Sequence, residues 1–516
     1  MKKIFIATLT LLIASAGFFF PEKAPAPVKA AESRQDVLKV CNWEDYIDED
    51  LISEFEEYYR EKTGNLNFRV EYTTFDTNET LLTKIETAKE DYDMVCPSEY
   101  AIQKLYQKGL LLPIDVSQME NYENVSPYAR KQFEVLTTDE AVYAIGYFWG
   151  TLGIMYNVDH VKEQGVDPES MGWEVLWSPA FRQKILMKDS VRDSAAAAAV
   201  YAHREELAAI TDEAEYEKRL FEIINPETEE DMQVIQDLLI AQKTDVGVFY
   251  EVDDGKGDMV IGTYSLNLAW SGDAWWSIVE AGEGGVHLDY TVPEEGRNVW
   301  FDGWCIPKYA KNIPAATAFM DYLNGGESAI RNMDATGYIS VVATYETLEY
   351  LMEVAEESPE YAAEVDASYF YTGDGFVLPE GSDVDVSRVT INRIMVPDYS
   401  TIKHCAVMNT FKDNQAAMNM WNAVKGDTLP GWAIALILGA LAAILVGAIV
   451  YKLLKEKNKI KRRKAVKERQ MREMQQERLE RQQKRARMLE EAEEAAKRKD
   501  EAKKHAAPGT TPEGKA

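Results

Sequence analysis

From Val37 the chain alternates short, almost wholly apolar runs with longer stretches whose apolar residues recur three or four apart. VLKVCNW (37–43), LNFRVEYTTF (66–75) and YDMVCPS (92–98) read as strands. The intervening periodicity predicts helices from about Glu49 to Thr63, from the triplet Asn78-Glu79-Thr80 to about Lys89, and from Ala101 to Lys108. Strands that are apolar on both faces and alternate with helices predict a parallel α/β sheet. In such sheets ligands lie beyond the carboxyl ends of the strands. Those ends carry Trp43-Glu44-Asp45-Tyr46 and Ser98-Glu99-Tyr100, the polar and aromatic mixture that a cleft for an organic cation needs.

Further on, AVYAIGYFWGTLGIMYN (141–157) is a long apolar strand with Gly150 and Gly153 inside it. Glycines within a strand mark bends or close backbone approach, so a crossing into a second lobe is expected here. PAFRQKILMKDS (179–190) reads as a helix-to-strand connection. It leads to Asp189, Ser190, Arg192 and Asp193 and an alanine-rich helix at 195–199. Asp193 is either a ligand for a cation or simply a carboxylate favoured by the helix dipole. Acidic helices from 204 to 242 read as solvated surface, and helical, acidic sequence is expected from 343 to Trp421.

Two aromatic clusters stand out. WSGDAWW (270–276) ends an apolar strand, with Ser271-Gly272 read as a tight corner and Trp270, Trp275 and Trp276 gathered around Asp273. NVWFDGWCIP (298–307) repeats the theme with Trp300, Asp302 and Trp304, and TGYIS (336–340) adds Tyr338 beside a glycine. An aromatic face attracts a cation by roughly 0.5–1 kcal/mol when exposed and about 2 when desolvated, and a neighbouring carboxylate adds a charged acceptor. The clusters therefore read as a box for an organic cation, with ordinary core packing as the competing reading.

At the N-terminus Lys2 and Lys3 precede an apolar run from Ile4 to Phe20, and Val28-Lys29-Ala30 offers small residues for cleavage. Residues 1–30 are expected to be an export signal, an uncleaved anchor being the alternative. Trp432 to Val450 is an uninterrupted apolar stretch, long enough to cross a bilayer core of about 30 Å. Basic residues follow at once, including Lys461-Arg462-Arg463-Lys464. The expectation is one transmembrane helix (430–451), with the body outside and the tail in the cytoplasm. Residues 452–505 then form a charged helix, whose apolar spacing at Met471, Met474, Leu479 and Met488 leaves a coiled coil open, and 506–516 are disordered by composition.

Composition narrows the function. A chain of 516 residues needs more than one core. Its net charge of −31 is unevenly spread, because residues 451–516 hold 22 basic against 12 acidic side chains. The body is thus strongly acidic, which repels nucleic acid and draws in cations. Four cysteines (Cys41, Cys96, Cys305, Cys405) lack metal-site spacing. Buried free thiols are expected, with Cys41–Cys96 and Cys305–Cys405 pairings left open. Five scattered histidines and the lack of GxSxG or HExxH argue against a hydrolase, and neither cofactor nor metal is expected.

NWEDY (42–46), TNET (77–80), YDMVCPSEY (92–100), FWG (148–150), KDSVRD (188–193), WSGD (270–273), WFDGWCIP (300–307) and TGYIS (336–340) together resemble the periplasmic spermidine/putrescine-binding proteins of bacterial ABC importers. The resemblance covers about residues 36–425. It implies a type II periplasmic-binding-protein fold of two α/β lobes, here 36–146 with part of 302–355 and 147–301 with part of 356–425. Trp43, Tyr46, Ser98, Tyr100, Trp270, Trp300 and Tyr338 would then wall a polyamine's methylene chain, and Asp193, Asp273 and Asp302 would take its ammonium groups. An ABC permease and its ATPase would be the partners. Glu44 and Glu99 stand where small hydroxyl residues are common in the family, and Ser190 replaces an acid that some spermidine binders have. The membrane helix and basic tail are departures too. They open a rival reading, a sensor that signals through the membrane to a cytosolic partner.

Overall fold

A computed structural model describes residues 33–426, apart from 139, 253 and 413, and scattered positions between 452 and 494. The chain divides into two units, one up to Lys425 and one from Gly426 on. In the second, the described positions between 452 and 494 are helical, and Leu479 and Met488 are exposed. No helix among the described residues is long and apolar enough to cross a membrane. The expected export signal (1–30), membrane span (430–451) and disordered end (506–516) lie outside the described residues.

The first unit opens with β1 (Val37–Trp43), α1 (Glu49–Thr63) and β2 (Arg69–Phe75). Asp48 caps α1 by accepting from the Asp50 amide, and Gly64 ends it in the left-handed region. Next come α2 (Asn78–Thr83), β3 (Met94–Val95), α3 (Glu99–Gln107), β4 (Leu111–Leu112) and α4 (Pro127–Glu134). Strands β2-β1-β3 form a parallel sheet, as the apolar alternation predicts. β3 is only two residues long, because Pro97 has no amide hydrogen to extend it.

β5 (Ile145–Asn157) is buried along all 13 residues. After α5 (Val158–Gln164), α6 (Pro168–Met171) and β6 (Ile185–Lys188), the chain enters α7 (Val191–Ala209), α8 (Glu213–Ile224) and α9 (Glu229–Asp245). These helices are not wholly solvated. Leu220, Ile223 and Ile224 on α8, and Met232, Ile235 and Leu239 on α9, are buried against the core, since the acidic residues fill only the outer faces.

β7 (Phe249–Glu251), α10 (Asp254–Val260) and β8 (Leu266–Trp270) lead into α11 (Ser271–Gly284). The expected corner at Ser271-Gly272 is therefore the first turn of a helix. β9 (Leu288–Thr291), β10 (Arg297–Trp304) and β11 (Ile306–Pro307) follow. The second sheet runs β10-β5-β8-β6-β7, and Cys405–Ala406 adds a further strand beside β10. It is mixed, because β5 lies antiparallel to both β10 and β8 while β6 is parallel to β7 and β8.

α12 (Ile313–Leu323), α13 (Gly326–Thr336), β12 (Ile339–Ser340) and α14 (Tyr345–Glu357) come next. The expected helical run to Trp421 is then broken by the hairpin β13 (Ala362–Val365) and β14 (Val389–Asn392), with glycine and proline turns between the strands. α15 (Tyr399–Ile402), β15 (Cys405–Ala406) and α16 (Asn414–Lys425) close the unit. All four cysteines are free.

One apolar cluster gathers Leu38, Val40, Phe55, Phe68, Trp304 and Phe319, and another Leu152, Ile185, Leu268, Leu239 and Trp421. β5 runs through both, with Ile145 and Phe148 in the first and Leu152 and Ile154 in the second, while β10 adds Trp300 and Trp304 to the first. Isolated bridges link Cys305, just past β10, to Val95 of β3 and Asp302 of β10 to Ser98, just past β3, and the register of β10 against β5 slips between Asp302 and Gly303. Such a bulge bends a strand and re-aims its side chains.

Candidate functional site

The site grows from strand ends. At the end of β1 Asp45 adopts φ 52°, which throws Glu44 outward and returns Tyr46 to the interior. Tyr46 donates its hydroxyl to Asp302 Oδ2 at 2.7 Å. On β10 the alternation of a strand puts Trp300 and Asp302 on one face, and both are buried. Glu99 sets that strand's position. It is the first residue of α3, and its Oε2 accepts from the Phe301 amide at 3.1 Å. Burial pushes its carboxyl up to about 8, so it is mostly neutral at pH 7.

Asn78, at the start of α2, binds this corner together. Its Nδ2 donates to Ser98 Oγ and to the Tyr100 hydroxyl, and its Oδ1 accepts from the Ser98 amide. The carboxyl of Asp302 is pushed up to about 7, first by burial and further by the charge of Asp193, while the Ser98 and Tyr46 hydroxyls work against both. Close to half of it is protonated at neutral pH.

Asp273 occupies a matching position at the start of α11. The Tyr338 hydroxyl donates to its Oδ1 at 2.7 Å. Two glycines permit the close packing. A Cβ at Gly272 would be driven into the Tyr338 ring, and one at Gly150 would approach the Trp300 indole to 2.7 Å. The Tyr46 and Tyr338 rings meet edge to face at 4.8 Å, and Trp300 meets Tyr338 at 5.6 Å. Two buried carboxylates are thus each held by a tyrosine hydroxyl, with the two phenol rings in contact between them.

The two acids differ in their cations. Lys188, at the end of β6, places Nζ 2.8 Å from Asp273 Oδ2 and 3.6 Å from the centre of the Trp270 ring. Burial would raise the Asp273 carboxyl, but the Lys188 charge and hydrogen bond hold it below its ordinary value. Trp270 Nε1 donates to Asp193 Oδ1 at 3.1 Å. Beside Asp193 the guanidinium of Arg192 is buried, 4.0 Å from the Phe411 ring and 5.6 Å from that of Tyr100. Burial lowers it to about 10.

The structure therefore joins Tyr46, Ser98, Tyr100, Asp193, Trp270, Asp273, Trp300, Asp302 and Tyr338 in one connected web. Three expected residues stand apart from it. Glu44 is exposed, Glu99 is spent on the β10 backbone, and Trp43 packs on Phe75 at 4.4 Å. The tryptophan clusters need correction. Successive helical residues point about 100° apart, so α11 carries Trp275 away to Tyr361 and Trp276 toward Lys256. Trp304, beyond the bulge, is fully buried against Tyr147. Lys188, Arg192 and Asn78 belong to the site although sequence reasoning did not assign them to it. KDSVRD and TNET were the available signals.

The indole N–H of Trp300, Arg192 Nε and Nη1, and Asp302 Oδ1 are buried without a protein hydrogen-bond partner. Buried polar atoms are normally paired, so a polar ligand could pair with these, although other buried atoms away from the site, such as Tyr216 Oη and Gln242 Oε1, are also without a partner. Two cavities of about 350 and 410 Å³ lie elsewhere, beside Phe133 and beside Glu346. No cluster suited to a metal ion occurs among the described residues.

The spermidine/putrescine-binding periplasmic protein of Salmonella typhimurium is 26% identical over 312 residues, which cover 60% of this chain and 78% of that protein. The putrescine-binding periplasmic protein PotF of Escherichia coli is 27% identical over 299 residues, covering 56% and 74%. The spermidine/putrescine ABC transporter substrate-binding protein PotD of Streptococcus pneumoniae superposes with a TM-score of 0.51 at 27% identity, over 75% of this chain and 98% of that one. These relatives are binding proteins, not enzymes. A family profile described as bacterial extracellular solute-binding protein matches residues 50–382, well over half the chain. The chain belongs to that family.

Proposed function

We propose that this protein captures an alkylamine of the polyamine class in the cleft between two lobes and presents it to an ABC permease. The paired acids carry the reading. Asp302 and Asp193 are buried carboxylates set among indole and phenol rings, Asp302 held by the Tyr46 hydroxyl and Asp193 by the Trp270 indole N–H, which suits ammonium groups separated by methylenes, while Asp273 already holds Lys188. The names of the relatives, spermidine/putrescine-binding and putrescine-binding, point to the same ligand class. Trp300, Tyr338 and Tyr46 would cover the methylenes, and the lobes, hinged where β5 and β10 cross, would exclude water on closing. Asp45 and Lys256, 3.9 Å apart, would latch the mouth.

We further propose that the Trp432–Val450 segment anchors the binding domain on the outer face of the membrane, with the basic tail inside. This keeps the domain near its permease. A thermal-shift screen against putrescine, spermidine, spermine and amino acids tests the ligand class. A rise in melting temperature with amines alone supports it, and a rise with amino acids alone contradicts it. Protease treatment of intact cells tests the anchor, since only the binding domain should be removed.

A further inference from the structure

Asp273 and Asp302 are alike in burial and in their tyrosine partners, yet only one has a cation at hand. Lys188 Nζ contacts Asp273 Oδ2 at 2.8 Å and also donates to the Val252 carbonyl at 2.9 Å. Its side chain is 3% exposed and its ammonium lies over the Trp270 ring. Ammonium on carboxylate, indole beneath it and an alkyl stem alongside is the arrangement a bound alkylamine would adopt. Here the protein supplies it from its own chain. Lys256 adds a more distant positive charge to Asp273. Among the described residues no Lys or Arg ion-pairs with Asp302, whose carboxylate is met by hydroxyl groups only.

We propose that Lys188 is a tethered ammonium that fills the Asp273 subsite, so that the cleft selects a short diamine held by Asp302 and Asp193 over a triamine. This rests on the amine-binding reading above. A third ammonium could reach Asp273 only by expelling Lys188, and a buried lysine stripped of its carboxylate is strongly unfavourable. Specificity of this kind comes from disfavouring the wrong ligand, not from better contacts to the right one.

The test is competition calorimetry on the full-length protein with putrescine and spermidine. Wild type is expected to prefer putrescine by about tenfold or more. Lys188→Met leaves Asp273 needing a cation, so the ratio should move at least about tenfold toward spermidine. Lys188→Met with Asp273→Asn removes both charges and should keep the wild-type preference. If Lys188→Met does not fold, Lys188→Gln, which keeps a hydrogen-bond donor without the charge, is measured instead. Wild-type preference for spermidine, or a neutral Lys188 variant that binds both amines in the wild-type ratio, overturns the proposal. A folded wild type that binds no amine overturns the underlying reading and the proposal with it.

Discussion

The Tyr46 hydroxyl donates to Asp302 Oδ2 at 2.7 Å and so joins the end of β1 to β10 across 256 residues of chain. Burial of this acid makes the proposed amine site sensitive to pH. Burial places the Asp302 carboxyl at about 7, and an ammonium ligand needs it ionised. Amine affinity should therefore rise with pH through about 7 and level off above, with protons released on binding near neutrality. Tyr46→Phe removes a hydrogen bond that favours the charged form, so the midpoint should move to higher pH. Calorimetry across the range, in buffers of different ionisation enthalpy, checks both.

Asp302 also predicts how the empty protein responds to pH. Its folded pKa of about 7 lies above the ordinary carboxylate value of 3.8. The folded state thus holds the proton more tightly, and this residue's contribution makes stability fall as pH rises from about 4 to about 7. Asp302→Asn should raise the melting temperature at pH 8 and change it little at pH 4.

Substituting the two acids should have different consequences. Asp302→Asn is expected to weaken amine binding by about 1.5–3 kcal/mol, the scale of a hydrogen bond to a charged group. Asp273→Asn instead leaves Lys188 buried beside a neutral amide, and its main effect should be on stability, of the order of 3–5 kcal/mol for breaking one side of a buried pair. Parallel denaturation and binding curves for the two variants separate these outcomes.

Gly272→Ala drives a methyl group into the Tyr338 ring, and the ring cannot retreat without losing its bond to Asp273. A loss of about 1–3 kcal/mol of stability is expected for such overpacking, together with weaker amine binding. Gly282→Ala, in the same helix with open space around it, is the control and should be neutral or slightly stabilising.

Much of the first sheet was legible, because β1, α1 and β2 have unambiguous periods and clear helix caps. Trp300 and Asp302 were legible as a pair because strand alternation is local. The fates of Trp275 and Trp276 were not. Ser-Gly-Asp suits either a turn or the start of a helix, and Trp270 offers no side-chain cap to decide. Trp304 was misplaced because the bulge at Asp302/Gly303 depends on pairing with β5. Glu44 depends on one left-handed residue, Asp45. The Lys188–Asp273 pair spans 85 residues and rests on β6 lying beside β8 in one register, which no local pattern specifies.

Calorimetric titration of the wild-type protein and of Asp302→Asn with putrescine, at pH 8 where Asp302 is ionised, tests the cleft most directly. The account predicts one site per chain in the wild type and a loss of at least about tenfold in affinity in the variant. Equal affinity in both, or no binding in a folded wild type, would contradict it.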